Sequence, residues 1–217
     1  MEQKLVLFDM DGVVFDSEKI YFEANRLAGE KLGLTVSLEQ YKKYLGAGND
    51  TMIRTLEDEY GDSELVSEYM RLSKEMIYPL VREGKLKIKK GFHELISFLK
   101  ANKVTCVLAS SNTKEEISFF MENTGITNIF DNIICADDVE KTKPEPDIFL
   151  KGWKKAGEPL KKETLVLEDS LNGILAAKKA NLPVIMVPDL LAPNFFAYQN
   201  TIAILDDLIE VKKYLSK

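Results

Sequence analysis

The chain has 217 residues, 45% hydrophobic and 29% charged, with a formal net charge of −6 at pH 7. A chain this long can bury roughly 70% of its unfolded surface, so its core needs no disulfide or structural metal. The mild acidity argues against nucleic-acid backbone binding, which relies on lysine and arginine, and no stretch approaches the ~20 apolar residues of a membrane span.

The first element is Leu5-Val6-Leu7-Phe8, an apolar run without polar alternation, which reads as a strand buried on both faces. Asp9, Asp11 and Gly12 follow directly. From Ser17 to about Gly84 the pattern is helical throughout. Gly33 suits a C-cap, Ser37-x-x-Gln40 has capping-box spacing, Asn49 or Asp50 caps a third helix, and Asp62 or Ser63 opens a long fourth containing Pro79. After Gly91 short apolar runs alternate with helical patterns. Strands are expected at 104–109, 133–135, 164–167 and 184–187, and helices at 92–101, 113–123, 144–156 (with Pro144 near its start), 170–180 and 206–215. This alternation implies an α/β fold: a doubly wound, Rossmann-like parallel sheet with right-handed crossovers and a small all-helical cap inserted after the first strand. The expected division is residues 1–15 plus 86–217 as the α/β catalytic core and 16–85 as the cap, with linkers on which the cap opens and closes.

In open α/β sheets ligands bind beyond the carboxyl ends of the strands. Read in order, those ends carry Asp9 and Asp11; Ser110, Ser111 and Asn112; Asp137 and Asp138, then Lys143-Pro144; Glu168 and Asp169; and Pro188-Asp189. Carboxylates gathered this closely disfavour one another's ionisation. A hard cation relieves that repulsion, and Mg²⁺, which takes carboxylates and often a substrate phosphate, fits.

Bland readings exist for each residue. Asp-Gly is a common turn dipeptide, Lys143 can be a surface lysine, Ser110 can merely end a strand, and Asp169 can cap the following helix. Asp137 and Asp138 read as loop-supporting, Lys85-Lys87-Lys89-Lys90 as a solvated junction, and His93, the sole histidine, as non-catalytic. Cys106 and Cys135 lie in apolar runs and read as small buried side chains of a reducing compartment. With no basic-then-apolar leader, a cytoplasmic protein is expected. No G-x-x-x-x-G-K loop supports an ATPase.

Taken together, Asp9-Met-Asp11-Gly12-Val13, Ser110 after an apolar strand, Lys143 in K-P-E-P-D and Glu168-Asp169 after a strand resemble the four motifs of the haloacid dehalogenase-like superfamily. The stretches FDMDGV, LASSN, TKPEPDIF and VLEDSLNGILAA are similar to its β-phosphoglucomutase-like branch of phosphatases and sugar-phosphate mutases. The resemblance implies Asp9 as the nucleophile forming an aspartyl phosphate and Asp11 as general acid and then base. It implies Ser110 and Lys143 as holders of the phosphoryl group. Mg²⁺ would lie on Asp9, the Asp11 carbonyl and Asp169, with Glu168 either a direct ligand or a hydrogen-bonding neighbour. Ser111, Asn112, Gly46, Asn49 and Asp50 are the implied substrate contacts, the last three in a cap loop that sets substrate choice.

The resemblance leaves two activities: hydrolysis of a small sugar or metabolite phosphate, and a mutase that returns the phosphoryl group to a sugar. The mutases carry a histidine after the first motif and an arginine in the cap loop; Tyr21 and Asn49 or Asp50 stand near those places here, which favours hydrolysis. A phospho-acceptor signalling domain is a third reading, disfavoured because it needs no lid. The expected partner is a small phosphorylated metabolite, with no nucleic acid or membrane, acting on a monomer.

Overall fold

The structure is a computed structural model describing residues 2–45 and 49–217, without the side chains of 44 and 49–51. The chain divides into two units: Met1–Asp16 with Ile88–Lys217, and Ser17–Lys87.

The first unit holds six strands: β1 (Leu5–Phe8), β2 (Thr105–Ala109), β3 (Asn132–Ile134), β4 (Thr164–Glu168), β5 (Val184–Met186) and β6 (Ala203–Ile204). All pair in parallel, in the order β3-β2-β1-β4-β5-β6. β1 is therefore central, matched residue for residue with β2 and β4, from Leu5 opposite Thr105 and Thr164 to Phe8 opposite Leu108 and Leu167. Its side chains alternate between two buried faces. Leu5 and Leu7 join a cluster with Ile148 and Phe149 of α7 (Asp147–Lys155), Ile174 of α8 (Leu171–Lys179) and Ala197 of α9 (Phe195–Asn200). On the other face Phe8 meets Phe92 of α5 (Phe92–Ala101) edge-on at 6.2 Å between ring centroids. Full burial of side chains this size is worth about 1.5–3 kcal/mol each, and that anchors the strand between its helices. α10 (Leu208–Leu215) packs beside α5, and α6 (Lys114–Thr124) is capped by Thr113. Gly152 brings α7 onto the sheet: a Cβ there would stand 3.0 Å from Leu7.

The second unit is helical: α1 (Glu18–Lys31), α2 (Leu38–Tyr44), α3 (Asn49–Tyr60) and α4 (Ser63–Arg82). α1 lies along α4, where Ala28, Val66 and Tyr69 share a cluster with Leu56 of α3. The Tyr69 hydroxyl donates to Asn25 Oδ1 at 2.8 Å, satisfying a buried amide. The Ser37–Gln40 capping box is present, and Asp62 caps α4.

The structure corrects several expected boundaries. α7 starts at Asp147, not Pro144; Lys143-Pro144-Glu145-Pro146 stays outside the helix. α9 and β6 are additional elements of six and two residues, too short to leave a period in the sequence. Ser170, not Asp169, caps α8. Lys89 is not a solvated junction residue: its side chain is 19% exposed and pairs with Asp189 at 2.7 Å. No described helix is long and apolar enough to cross a membrane.

Candidate active site

The carboxyl ends of β1, β2 and β4 converge. Asp9 follows β1, and its N–H donates to Leu167 O at 3.0 Å, which carries the β1–β4 ladder to the edge of the sheet. The chain then folds back tightly: Gly12 N–H donates to Phe15 O and Val14 N–H to Met10 O, each at 2.9 Å. Gly12 sits at φ +70°, and a Cβ there would run into the Asp169 carboxylate. Glycine at this turn therefore serves both the left-handed backbone and the close approach of the first and fourth strand ends.

Lys143 reaches in from the non-helical stretch before α7. Its ammonium donates to Asp9 Oδ1 and, at 2.7 Å, to Glu168 Oε1. The side chains are 7% exposed for Lys143, 10% for Asp9 and 0% for Glu168. Glu168, the last residue of β4, is fully engaged. Its Oε2 accepts from Asp169 N–H at 3.0 Å, Ser170 N–H at 2.8 Å and Ser170 Oγ at 2.9 Å. Ser170 Oγ in turn accepts from Gly173 N–H at 3.0 Å, so one hydroxyl ties Glu168 to the start of α8. A Cβ at Gly173 would overlap the Glu168 carboxylate. Neither Ser170 nor Gly173 was expected from sequence to serve the site; the only signal is the Ser-x-x-Gly opening of a helix.

Oxygens of Asp9, Glu168 and Asp169 lie within 4.8 Å of one another, a group able to hold a metal ion. The electrostatics point the same way. Burial pushes the Asp9 carboxyl up to about 8; Lys143 pulls it down, but Glu168 and Asp11 raise it further. Burial works against the Lys143 charge, yet Asp9 and Glu168 together hold it above its ordinary value. A single ammonium thus leaves negative charge uncompensated, and a divalent cation at the carboxylates fits that deficit.

Ser110 is fully buried at the end of β2. Its N–H donates to Ile134 O at 3.0 Å, and its Oγ accepts from Asn112 N–H at 3.1 Å. Ser111 is exposed. Asn112, expected as a substrate contact, directs its side-chain amide to Asp11 Oδ2 at 3.0 Å. Gly46 lies outside the described residues, as do the side chains of Asn49 and Asp50. Asp137 and Asp138 support their loop, accepting from Lys114 N–H at 2.7 Å and Cys135 N–H at 3.0 Å. His93 is exposed on α5. Cys106 and Cys135 are buried and free, and burial pushes the Cys106 thiol up to about 12, which leaves it unreactive.

Comparison with known proteins agrees with this geometry. Residues 6–187 match the family described as haloacid dehalogenase-like hydrolase. The Drosophila melanogaster protein named "Probable pseudouridine-5'-phosphatase" is 32% identical over 84% of this chain and 80% of its own. A phosphorylated carbohydrates phosphatase from Thermotoga maritima is 27% identical over 82% of this chain and 81% of its own. A crystal structure of a mutant CbbY from Rhodobacter sphaeroides, in complex with xylulose-(1,5)bisphosphate, is 25% identical and covers 96% of both chains with a TM-score of 0.77.

Proposed function

The chain belongs to the haloacid dehalogenase-like hydrolase family, and from that premise we propose that it is a Mg²⁺-dependent phosphatase of a small sugar or metabolite phosphate, working through an aspartyl phosphate. That it is a phosphoric monoester hydrolase acting on phosphorylated small molecules follows from the family and its phosphatase relatives. The observation that carries the finer reading is the buried Asp9–Lys143–Glu168 chain, with Asp11 and Asp169 alongside.

In this reading an Asp9 carboxylate oxygen attacks phosphorus, the bond from phosphorus to the ester oxygen breaks, and that oxygen takes a proton from Asp11. A water then attacks the phosphorus of the aspartyl phosphate and gives its proton to Asp11. The bond between Asp9 and phosphorus breaks, releasing phosphate and restoring both carboxyl groups. Lys143 holds Asp9 in place and offers positive charge to the phosphoryl oxygens. Ser110 Oγ accepts from Asn112 N–H, so its own proton is the part it can give to phosphate.

The Asp9 and Asp169 carboxylates would hold Mg²⁺, which would supply positive charge beside the transferring group. Glu168 acts as a neighbour rather than a ligand: Oε1 faces the Lys143 ammonium, and Oε2 already accepts from Asp169 N–H, Ser170 N–H and Ser170 Oγ. These parts act together because a general acid alone contributes only ~10²–10⁴, against the up to ~10²¹ this reaction demands.

The test is phosphate release from a panel of sugar and metabolite monophosphates, with Mg²⁺ and with chelator. Activity should require the metal and vanish in Asp9→Asn; turnover by Asp9→Asn equal to wild type would end the reading. β-Glucose 1-phosphate with a bisphosphate primer should yield free phosphate rather than an isomer.

A further inference from the structure

We infer that Asn112 is a positioning residue for the general acid: its side-chain amide sets the orientation of the Asp11 carboxyl and thereby which oxygen exchanges the proton with the leaving group. The inference rests on the phosphatase reading above for the role of Asp11.

The two groups are 101 positions apart in the chain and meet because β1 and β2 are neighbours. Asn112 is a fixed platform. Its N–H donates to Ser110 Oγ at 3.1 Å, and its carbonyl accepts from Ala136 N–H at 2.9 Å, at the end of the next strand. With the backbone held from both sides, the side-chain amide has a defined reach, and it ends on Asp11 Oδ2 at 3.0 Å. The other end is equally constrained: Asp11 lies in the turn closed by the Gly12–Phe15 and Val14–Met10 hydrogen bonds. What the backbone leaves undecided is the carboxyl torsion, a broad, two-fold well in aspartate.

An amide Nδ2 can only donate, so Oδ2 must accept. A carbonyl oxygen accepts an N–H better than a carboxylic hydroxyl oxygen does, so this bond favours the acid proton on Oδ1. The same bond survives both halves of the reaction, because Oδ2 is an acceptor in the carboxylic acid and in the carboxylate. Asparagine suits the position for this reason. Aspartate would add a further carboxylate to an edge already in surplus of negative charge, and serine would fall short.

The test is a double-mutant cycle read as kcat/KM on two ester classes. p-Nitrophenyl phosphate has a leaving group that needs no proton; an alkyl monophosphate has one that does. Asn112→Ala should lower kcat/KM for the alkyl ester about 10- to 100-fold, within the range one general acid supplies, and for the aryl ester less than about 3-fold. The double variant Asp11→Asn/Asn112→Ala should be no worse than Asp11→Asn by more than about 2-fold. Asn112→Ser, whose hydroxyl is too short to reach Asp11, should behave as Asn112→Ala and carries the test if the alanine protein does not fold. Equal losses on both esters, or losses that multiply in the double variant, would overturn the inference while leaving the phosphatase reading intact. A wild-type protein inactive on every ester would overturn both.

Discussion

Glu168 sits at 0% exposure in a site full of carboxylates, and hydrogen-bond donors meet both of its oxygens. A carboxyl side chain buried this deeply is tolerated only when its oxygens are hydrogen-bonded. Here one oxygen takes the Lys143 ammonium and the other takes the start of α8. Two consequences separate it from Asp169. Glu168→Gln should lower kcat by roughly 10- to 100-fold because Lys143 loses half its anchorage, while the Mg²⁺ concentration for half-activity moves less than about 3-fold. Asp169→Asn should raise that concentration by more than about 10-fold. A metal titration of activity in both variants decides it. Gly173→Ala forces a methyl into the Glu168 carboxylate and should cost about 1–3 kcal/mol, in the range of overpacked sites, read as a lowered thermal midpoint.

Helix starts are where local sequence shows most plainly. Ser37 with Gln40 and Thr113 with Glu116 form reciprocal boxes, while Asp62 and Asp207 cap by accepting from the first-turn N–H groups. Such bonds span two or three residues, so the pattern that encodes them lies within one glance of the sequence. α7 is the instructive exception. Pro144 suits a helix start, yet the helix waits until Asp147. The preceding stretch must stay unwound for Lys143 to reach Asp9, and that demand comes from two other strands. Asp207 offers a test at this scale. Lys90 and the N–H groups of Ile209 and Glu210 hold its carboxyl below the usual carboxylate range. A lowered folded value adds stability above the unfolded value that is lost as pH falls through the folded one. Asp207→Ala should therefore lower stability by about 1 kcal/mol near neutrality, with the deficit shrinking below about pH 4; thermal melts of both proteins across pH 3–7 check it.

For the whole molecule, the concentration of acid at one edge of the sheet links folding to pH and, through the proposed Mg²⁺ site, to metal. With Asp9 raised by burial to about 8 in the folded state, well above the ordinary carboxylate range of about 3.9, the folded protein binds the proton the unfolded chain has released. Stability of the chelated protein is thus greatest below about pH 4 from this group and declines as pH rises towards 8. Metal binds the ionised form, so Mg²⁺ should stabilise most at the alkaline end of that window. At about 100 times its Kd it adds about 2.7 kcal/mol, a rise in Tm of roughly 5–10 °C for a chain this size. Melting curves at pH 6 and pH 8, with Mg²⁺ and with chelator, measure both effects; a metal shift that is absent at pH 8 would contradict the charge argument.

The sequence by itself determined the architecture and the cast. The continuous apolar run at Leu5–Phe8, the change of period after Gly91 and the acidic, hydroxyl and cationic residues placed after apolar runs are all local patterns, and local patterns report which elements form and which residues end them. Pairings between residues far apart in the chain came from the tertiary structure alone: Asn112 on Asp11, Glu168 on Lys143, Lys89 on Asp189. A side chain's type and spacing say what it can donate or accept. Which partner it finds depends on the strand order and on backbones pinned from neighbouring strands, and neither exists until the sheet has formed.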